Sequence, residues 1–108
     1  MSDDPIRRFT LLVLHQAQED HATRLVIGPT CRGEMAIRYR VGDQLCEMSP
    51  PPAHVISAAI AEIGRLAGSP EGRFPIKGSI DVAYSGHRLK WRVAMASKDA
   101  ECILTPVQ

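Results

Sequence analysis

The chain has 108 residues, of which 44% are hydrophobic and 23% are charged, as is ordinary for a small globular domain. Its 13 basic and 12 acidic residues leave a net charge of +1, which argues against a nucleic-acid-binding protein driven by bulk positive charge. We therefore predict a single domain spanning residues 1–108 with one modest hydrophobic core, and no nucleic-acid partner.

The sequence predicts a cytoplasmic protein with no membrane insertion. No apolar run reaches the roughly 18 residues that a spanning helix needs, and the acidic opening "MSDDPIRR" is not followed by a signal-peptide core. The cysteines, Cys31, Cys46 and Cys102, are odd in number and far apart. This spacing favours reduced, half-buried thiols over a structural disulfide or a zinc site.

The first element in chain order is a helix. Asp4 is suited to cap it and Pro5 to occupy its first position, and the pattern fades near Asp20–His21. Apolar residues recur every three or four positions along one face, and three leucines broaden that face. These residues are Ile6, Phe9, Val13 and Ala17, then Leu11, Leu12 and Leu14.

Three strands are predicted next. The apolar run "TRLVIGP" ends in a Gly-Pro stop, and "QLCEM" follows a turn at Gly42–Asp43. Between them, "GEMAIRYRV" alternates strictly, as expected of a strand with one buried face. Met35, Ile37, Tyr39 and Val41 share one face, and Ala36, Arg38 and Arg40 share the other.

A second helix is predicted within "SPPPAHVISAAIAEIGRLAG", capped by Ser49 and ended by Gly68. Its expected buried stripe is Ile56, Ala59, Ile63 and Ala67, with Val55, Ile60 and Leu66 beside it.

A hairpin closes on the tip Ser85–Gly86–His87, and a last strand, "ECILTPV", ends the pattern. A short extra strand is possible near Phe74. In the hairpin, apolar side chains alternate with polar ones. The apolar set is Ile80, Val82, Tyr84, Leu89, Trp91, Val93 and Met95, and the polar set is Asp81, Arg88, Lys90 and Arg92.

Together these elements predict an α+β fold in the order α-β-β-β-α-β-β-β. Hairpin-connected strands with one polar face form an antiparallel sheet of about six strands, and two helices pack on its apolar side. The result is a PAS-like two-layer arrangement. Trp91 and Tyr84 fall on the apolar face, so we expect them in the core and not as stacking platforms for nucleic-acid bases.

No catalytic motif is present, so the sequence predicts neither an enzyme nor a cofactor. The chain lacks a phosphate-binding loop, a dinucleotide-binding glycine motif and the common hydrolase motifs. His15 and His21 lie six residues apart and point about 120° apart on a helix, so no metal site is expected. The pair Glu19–Asp20 is interpreted as solvating the end of the first helix.

Several short segments, in order and spacing, resemble the N-terminal domain that precedes the nucleotide-binding domain in type II secretion and type IV pilus assembly ATPases. The first helix running into "HATRLVIGP" resembles that family's helix and Ala-Ser-Asp-Ile-His-Ile-Glu-Pro run. "MAIRYRVGDQL" and "AECILTPV" resemble family strands. "RFPIKGSI" resembles the Arg-Leu-Pro-Gln-Asp-Gly-Arg motif, with Arg73, Pro75 and Gly78 in step, and "HRLKWRVAMAS" resembles a strand ending in Arg-Val-Ser-Thr.

The departures from the family pattern are specific. Arg24, Val26 and Gly28 stand where Asp, His and Glu are usual, and Ser79 stands at the second arginine of the Arg-Leu-Pro motif. In the family, arginines of this domain reach the nucleotide held by a neighbouring ATPase domain. The resemblance implies such a role for Arg92, whereas its partner arginine is absent.

The basic residues of the hairpin therefore have two interpretations. They form either a solvated face that blocks edge-to-edge aggregation, or a face that contacts a partner or a nucleotide through Arg92, Arg73, Lys90 and Arg88. Arg38 and Arg40 extend this face if their strand shares it.

The function that the resemblance implies is a non-catalytic protein-interaction or regulatory module. Its expected partner is a secretion or pilus assembly ATPase, or an inner-membrane platform protein. The alternative is a small-molecule or nucleotide-sensing domain, since mixed layers of helix and sheet often enclose pockets. The oligomeric state is left open.

Overall fold

The computed structural model describes residues 4–30, 32–48, 51–69 and 73–107. Within these residues the chain forms two helices and six strands in the predicted order. The helices are α1 (Pro5–Glu19) and α2 (Ala53–Leu66), and the strands are β1 (Arg24–Pro29), β2 (Met35–Val41), β3 (Gln44–Met48), β4 (Ile76–Tyr84), β5 (His87–Met95) and β6 (Cys102–Pro106).

The strands form one antiparallel sheet in the order β3-β2-β1-β6-β5-β4. The segment containing α2 carries the chain from one edge of the sheet to the other, and β6 then inserts between β5 and β1. A single core joins apolar side chains of both helices to one face of the sheet. The predicted α+β architecture, with both helices on one side of the sheet, is confirmed.

Helix α1 begins where the sequence predicted. The Asp4 carboxylate accepts a hydrogen bond from the Ile6 amide at 2.9 Å, and Pro5 occupies the first turn. The prediction for Leu12 was wrong, because 51% of its side chain is exposed. The apolar face is narrower than expected, with Ile6 and Phe9 only half-buried. The buried residues of α1 are Thr10, Leu11, Val13, Leu14 and Ala17.

Helix α2 ends in a Schellman motif at Gly68, the residue that was predicted to end it. Gly68 adopts φ 84°, its amide donates to the Arg65 carbonyl at 3.1 Å, and the Ser69 amide donates to the Gly64 carbonyl at 2.9 Å. At the other end, Pro52 precedes the first helical residue without a side-chain cap. Ser49, the predicted cap, lies outside the described residues.

The buried stripe of α2 differs from the prediction at three positions: Glu62 and Gly64 are buried, and Ala67 is only half-buried. Glu62 is only 7% exposed, although a glutamate was not expected there. Its carboxylate accepts two hydrogen bonds from the Arg65 guanidinium, one of them at 3.0 Å, and lies 3.9 Å from Arg7 of α1. The buried residues are Ile56, Ala59, Ile60, Glu62, Ile63 and Gly64, while Val55, Leu66 and Ala67 are half-buried.

Gly78 allows the C-terminal end of α2 to approach β4. A Cβ atom at this position would lie 2.4 Å from the carbonyl oxygen of Ala67, well inside contact distance. The glycine of the "RFPIKGSI" segment therefore has a packing role. Phe74 precedes β4, so it is not part of a separate strand among the described residues.

The end of α1 is attached to β2 by a polar contact. The Tyr39 hydroxyl donates to the Asp20 carboxylate at 2.7 Å. This bond lowers the pKa of Asp20 and raises the pKa of Tyr39 to about 12. The prediction that Asp20 merely solvates the helix end was therefore wrong.

Neither helix in the described part of the chain is long and apolar enough to span a membrane. Cys46 and Cys102 are free thiols. Burial of Cys102 in the core raises its pKa to about 12. Cys31 lies outside the described residues.

Candidate functional site

The face of the sheet opposite the helices is rich in basic residues. Strand alternation sends the apolar side chains to the core, so the intervening residues point the other way. We call this surface the basic face; its cationic residues are Arg24, Arg38, Arg40, Lys77, Arg88, Lys90 and Arg92.

Three of these arginines lie in one row across the sheet. Arg40 of β2 pairs with Arg24 of β1. The β1–β6 register, continued by one residue past the Leu25–Leu104 pair, places Arg24 beside Thr105 of β6. Thr105 pairs with Arg92, which pairs in turn with Ser79. Neighbouring strands are about 4.8 Å apart, so the backbones of Arg24 and Arg92 are separated by about 10 Å. We call Arg40, Arg24 and Arg92 the basic row.

A shallow depression of about 260 Å³ opens on the basic face. Arg24, Arg38 and Arg40 line it, together with the exposed apolar side chain of Leu45 and the carboxylate of Glu101. The three guanidinium groups outnumber the Glu101 carboxylate, so the depression keeps a net positive charge that attracts a carboxylate or a phosphate group, which arginine can bind bidentately.

Acidic side chains neutralise part of the basic face. Arg38 donates to Glu101 at 3.0 Å, and Arg88 donates to Asp81 at 2.5 Å. The second bond raises the pKa of Arg88 and lowers the pKa of Asp81. Among the described residues, no carboxylate lies within ion-pair distance of the three arginines of the basic row.

Arg38 retains an unused donor despite its ion pair. Its Nε atom is buried and has no hydrogen-bond partner among the described residues. A buried donor without a partner is costly, of order 1–3 kcal/mol.

The structure brings together three of the four predicted site residues. Arg92, Lys90 and Arg88 share the basic face, and Arg38 and Arg40 extend it, because β2 exposes its polar side on the same surface. Arg73 is exposed but precedes β4 beyond the Met95 end of the hairpin, away from the basic row.

The interpretation of these residues as edge protection was wrong. Strands β3 and β4 form the sheet edges, and β5 is hydrogen-bonded on both sides. Arg88, Lys90 and Arg92 therefore do not block pairing at an exposed edge. A solvated face and a contact face remain as the interpretations of this surface.

Sequence reasoning missed Arg24 as a site residue. It was noted only as a departure from the family pattern, whereas the sheet places it between Arg40 and Arg92. The strand order was the missing information, because β6 enters the sheet between β1 and β5. The alternation of β1 alone would have placed Arg24 opposite Leu25 and hence on the polar face.

A second, apolar cavity of about 730 Å³ lies on the helix side of the sheet. It is bounded by α2, the start of β4 and the loop after β5. Ile60, Ile76, Met95 and Phe74 line its wall, and Lys98 and Asp99 stand among its polar residues. Volumes in this range are typical of sites for small organic ligands.

Comparison with known proteins adds a fold relationship. No protein-family model and no curated protein matches the chain. Among solved structures, the chain is similar to the X-ray structure of the ATPase DotB of Legionella pneumophila, with a TM-score of 0.60 and 18% sequence identity. The match covers 99% of this chain and 31% of the DotB chain. At this identity the similarity shows a shared fold.

Proposed function

We propose that the chain is a non-catalytic protein-interaction or regulatory module related to the N-terminal domain of type II secretion and type IV pilus ATPases. The basic face contacts an anionic group of its partner, which is a secretion or pilus assembly ATPase or an inner-membrane platform protein. The observation that carries this proposal is the arginine-lined depression on the sheet face opposite the helices.

Two further observations support the proposal. The sequence motifs around Arg73 and Arg92 resemble those of the secretion motors, and the chain shares its fold with part of an ATPase chain. Where the family has a second arginine, this chain has Ser79, which pairs directly with Arg92. Arg24 and Arg40 supply positive charge from the other side of Arg92.

We propose a cytoplasmic location, as expected for a partner of such motors.

The chain provides no phosphate-binding loop, so the partner supplies the principal phosphate contacts. We expect the isolated chain neither to hydrolyse ATP nor to bind it with low-micromolar affinity. ATP turnover well above the buffer background, or a dissociation constant for ATP in the low-micromolar range, would contradict this expectation.

The test is affinity capture from a lysate of the source organism. The bait is the wild-type chain, the triple variant Arg24→Ala/Arg40→Ala/Arg92→Ala, or the control Arg32→Ala. Arg32 lies in the exposed segment between β1 and β2, so its replacement removes one charge outside the basic face. We expect wild type and control to retain an ATPase or platform protein and the triple variant to lose it. Capture by all three baits alike would contradict the proposal.

The apolar cavity favours small-molecule sensing as a second candidate function. An apolar ligand that binds there, present at a free concentration of about 100 times its dissociation constant, adds about 2.7 kcal/mol to the free energy of unfolding. A thermal-shift screen of apolar organic acids measures this effect, and Ala61→Phe, which narrows the cavity, should remove it. A screen without any shift would count against this candidate.

A further inference from the structure

Three potential metal ligands meet where α1 approaches the tip of the β4–β5 hairpin. His15 and Glu19 lie one turn apart on α1, and His87 is the first residue of β5. One ligand atom from each lies within 4.8 Å of the others. The Glu19 carboxylate oxygen lies 3.8 Å from His15 Nε2 and 3.9 Å from His87 Nε2. We call these residues the His-Glu-His cluster.

The two elements that carry the cluster are held against each other. The Gln18 side-chain amide donates to the Arg88 carbonyl at 2.9 Å, which joins α1 to β5 next to His87. The His15 ring packs against the Tyr84 ring with centroids 5.3 Å apart. The cluster is therefore anchored on both sides by contacts that do not involve its ligand atoms.

The turn between the two strands directs His87 toward the helix. Ser85 and Gly86 both adopt positive φ, at 51° and 80°, as a two-residue hairpin turn requires. The tight turn keeps His87 at the very start of β5, where its ring centroid lies 5.0 Å from that of His15.

The two ring nitrogens of His15 lie in different surroundings. The Nδ1 atom is buried and has no partner among the described residues. Polar contact of this ring is therefore made through Nε2, the atom that faces Glu19. A histidine coordinates metal through one nitrogen, so Nε2 is the available ligand atom.

The donor set suits a particular class of ion. Two imidazoles and one carboxylate are a known ligand set for Zn²⁺, with bond lengths of about 2.0–2.2 Å and a fourth position left to water. Tetrahedral ligands at that distance are about 3.4 Å apart. The side chains of Glu19 and His87 are 54% and 53% exposed, so they are free to close the remaining gap onto His15.

We propose that the His-Glu-His cluster binds one divalent transition-metal ion of the zinc class. The ion bridges α1 and the hairpin tip, so its binding stabilises the folded chain. The site is separate from the basic row, and the proposal is independent of the proposed function. The open fourth position leaves room for a water molecule or a ligand from a partner.

The experiment is isothermal titration calorimetry of ZnCl₂ into the untagged full chain, freed of metal by chelator. The variants are His15→Ala, His87→Ala and Glu19→Gln, and the control is His54→Ala. His54 is an exposed histidine of α2 outside the cluster. Because the chain also has three cysteines, Co²⁺ spectra serve as a second readout, since thiolate ligands give a charge-transfer absorption that imidazole and carboxylate ligands lack.

We expect one Zn²⁺ per wild-type chain, an increase in melting temperature on binding, and Co²⁺ spectra without thiolate absorption. Each histidine variant should bind at least about tenfold more weakly, while the control binds within about twofold of wild type. The exposed position of His87 makes that variant informative even if His15→Ala fails to fold. No binding, equal binding in His87→Ala and wild type, or a thiolate spectrum would overturn the proposal.

Discussion

The hydroxyl of Tyr39 and the carboxylate of Asp20 show how one hydrogen bond sets a pH dependence. The bond raises the pKa of Tyr39 from 10.0 to about 12, so the folded state holds the phenol proton more tightly than the unfolded state. Its contribution to stability is complete below pH 10 and is lost as the pH rises through about 12. The lowered pKa of Asp20 acts at the other end of the scale: its contribution is present above the ordinary value of 3.8 and is lost as the pH falls below it.

Ultraviolet titration measures this shift directly. The chain has two tyrosines, so Tyr84→Phe leaves Tyr39 as the only phenol. In that background we expect tyrosinate to appear with a midpoint near 12, and Asp20→Asn to move the midpoint toward 10.0. A midpoint near 10 with Asp20 intact would show that the hydrogen bond does not form in solution.

Individual residues also show what the sequence alone could predict. Asp4, Pro5 and Gly68 were identified correctly, because caps and stops act over a few neighbouring positions. The contacts of Glu19 with His87 and of Glu62 with Arg7 were missed, since each depends on a residue of another element. Spacing along one helix relates Glu19 to His15, whereas only the packed hairpin adds His87.

The approach of α2 to β4 depends on Gly78. A methyl group at this position would meet the Ala67 carbonyl, which the helix end holds in place. We expect Gly78→Ala to lower the free energy of unfolding by about 1–3 kcal/mol, as overpacking does. Ser79→Ala, at the next position on the exposed face, should change it by less than about 0.5 kcal/mol. Chemical denaturation followed by fluorescence of Trp91, the single tryptophan, measures both. Equal stabilities would contradict the close approach.

The packing of α2 on the sheet is tested at Ile63. This residue is 1% exposed and belongs to the core. Its truncation to alanine should cost about 2–5 kcal/mol, through lost burial and the cavity left behind. The control is Ser57→Ala on the exposed side of α2, which should cost no more than about 0.5 kcal/mol. A loss below this value at Ile63 would mean that the helix turns another face to the sheet.

At the level of elements, alternation predicted which strand residues share a face but not which strands are neighbours. The hairpin faces, and those of β2, follow from a period of two. The insertion of β6 between β1 and β5 follows from the packing of the whole chain. This is why Lys90 and Arg92 were recognised as a basic strand, while their relation to Arg24 was not.

The molecule as a whole has two different sides. The helices and the core lie on one side of the sheet, and the basic face, with its arginine-lined depression, lies on the other. A chain of net charge +1 thus concentrates positive charge on one surface, which the composition alone conceals. Such a surface attracts an anionic partner, and salt weakens the contacts that stay solvent-exposed.

The central claim is that the basic face contacts a partner, and calorimetry of the complex at two salt concentrations tests it most directly. The titrant is the ATPase or platform protein recovered by capture, and the chains are wild type, Arg92→Ala, Arg88→Ala and Arg32→Ala. Arg88 shares the strand face but is already paired with Asp81. We expect Arg92→Ala to weaken binding by about 2–5 kcal/mol if Arg92 meets a buried charge of the partner, and by less if it lies at the rim of the interface. Arg88→Ala should have a smaller effect than Arg92→Ala, and Arg32→Ala should have none. Unchanged affinity of Arg92→Ala at both salt concentrations would contradict the claim and leave the basic face as a solvated surface.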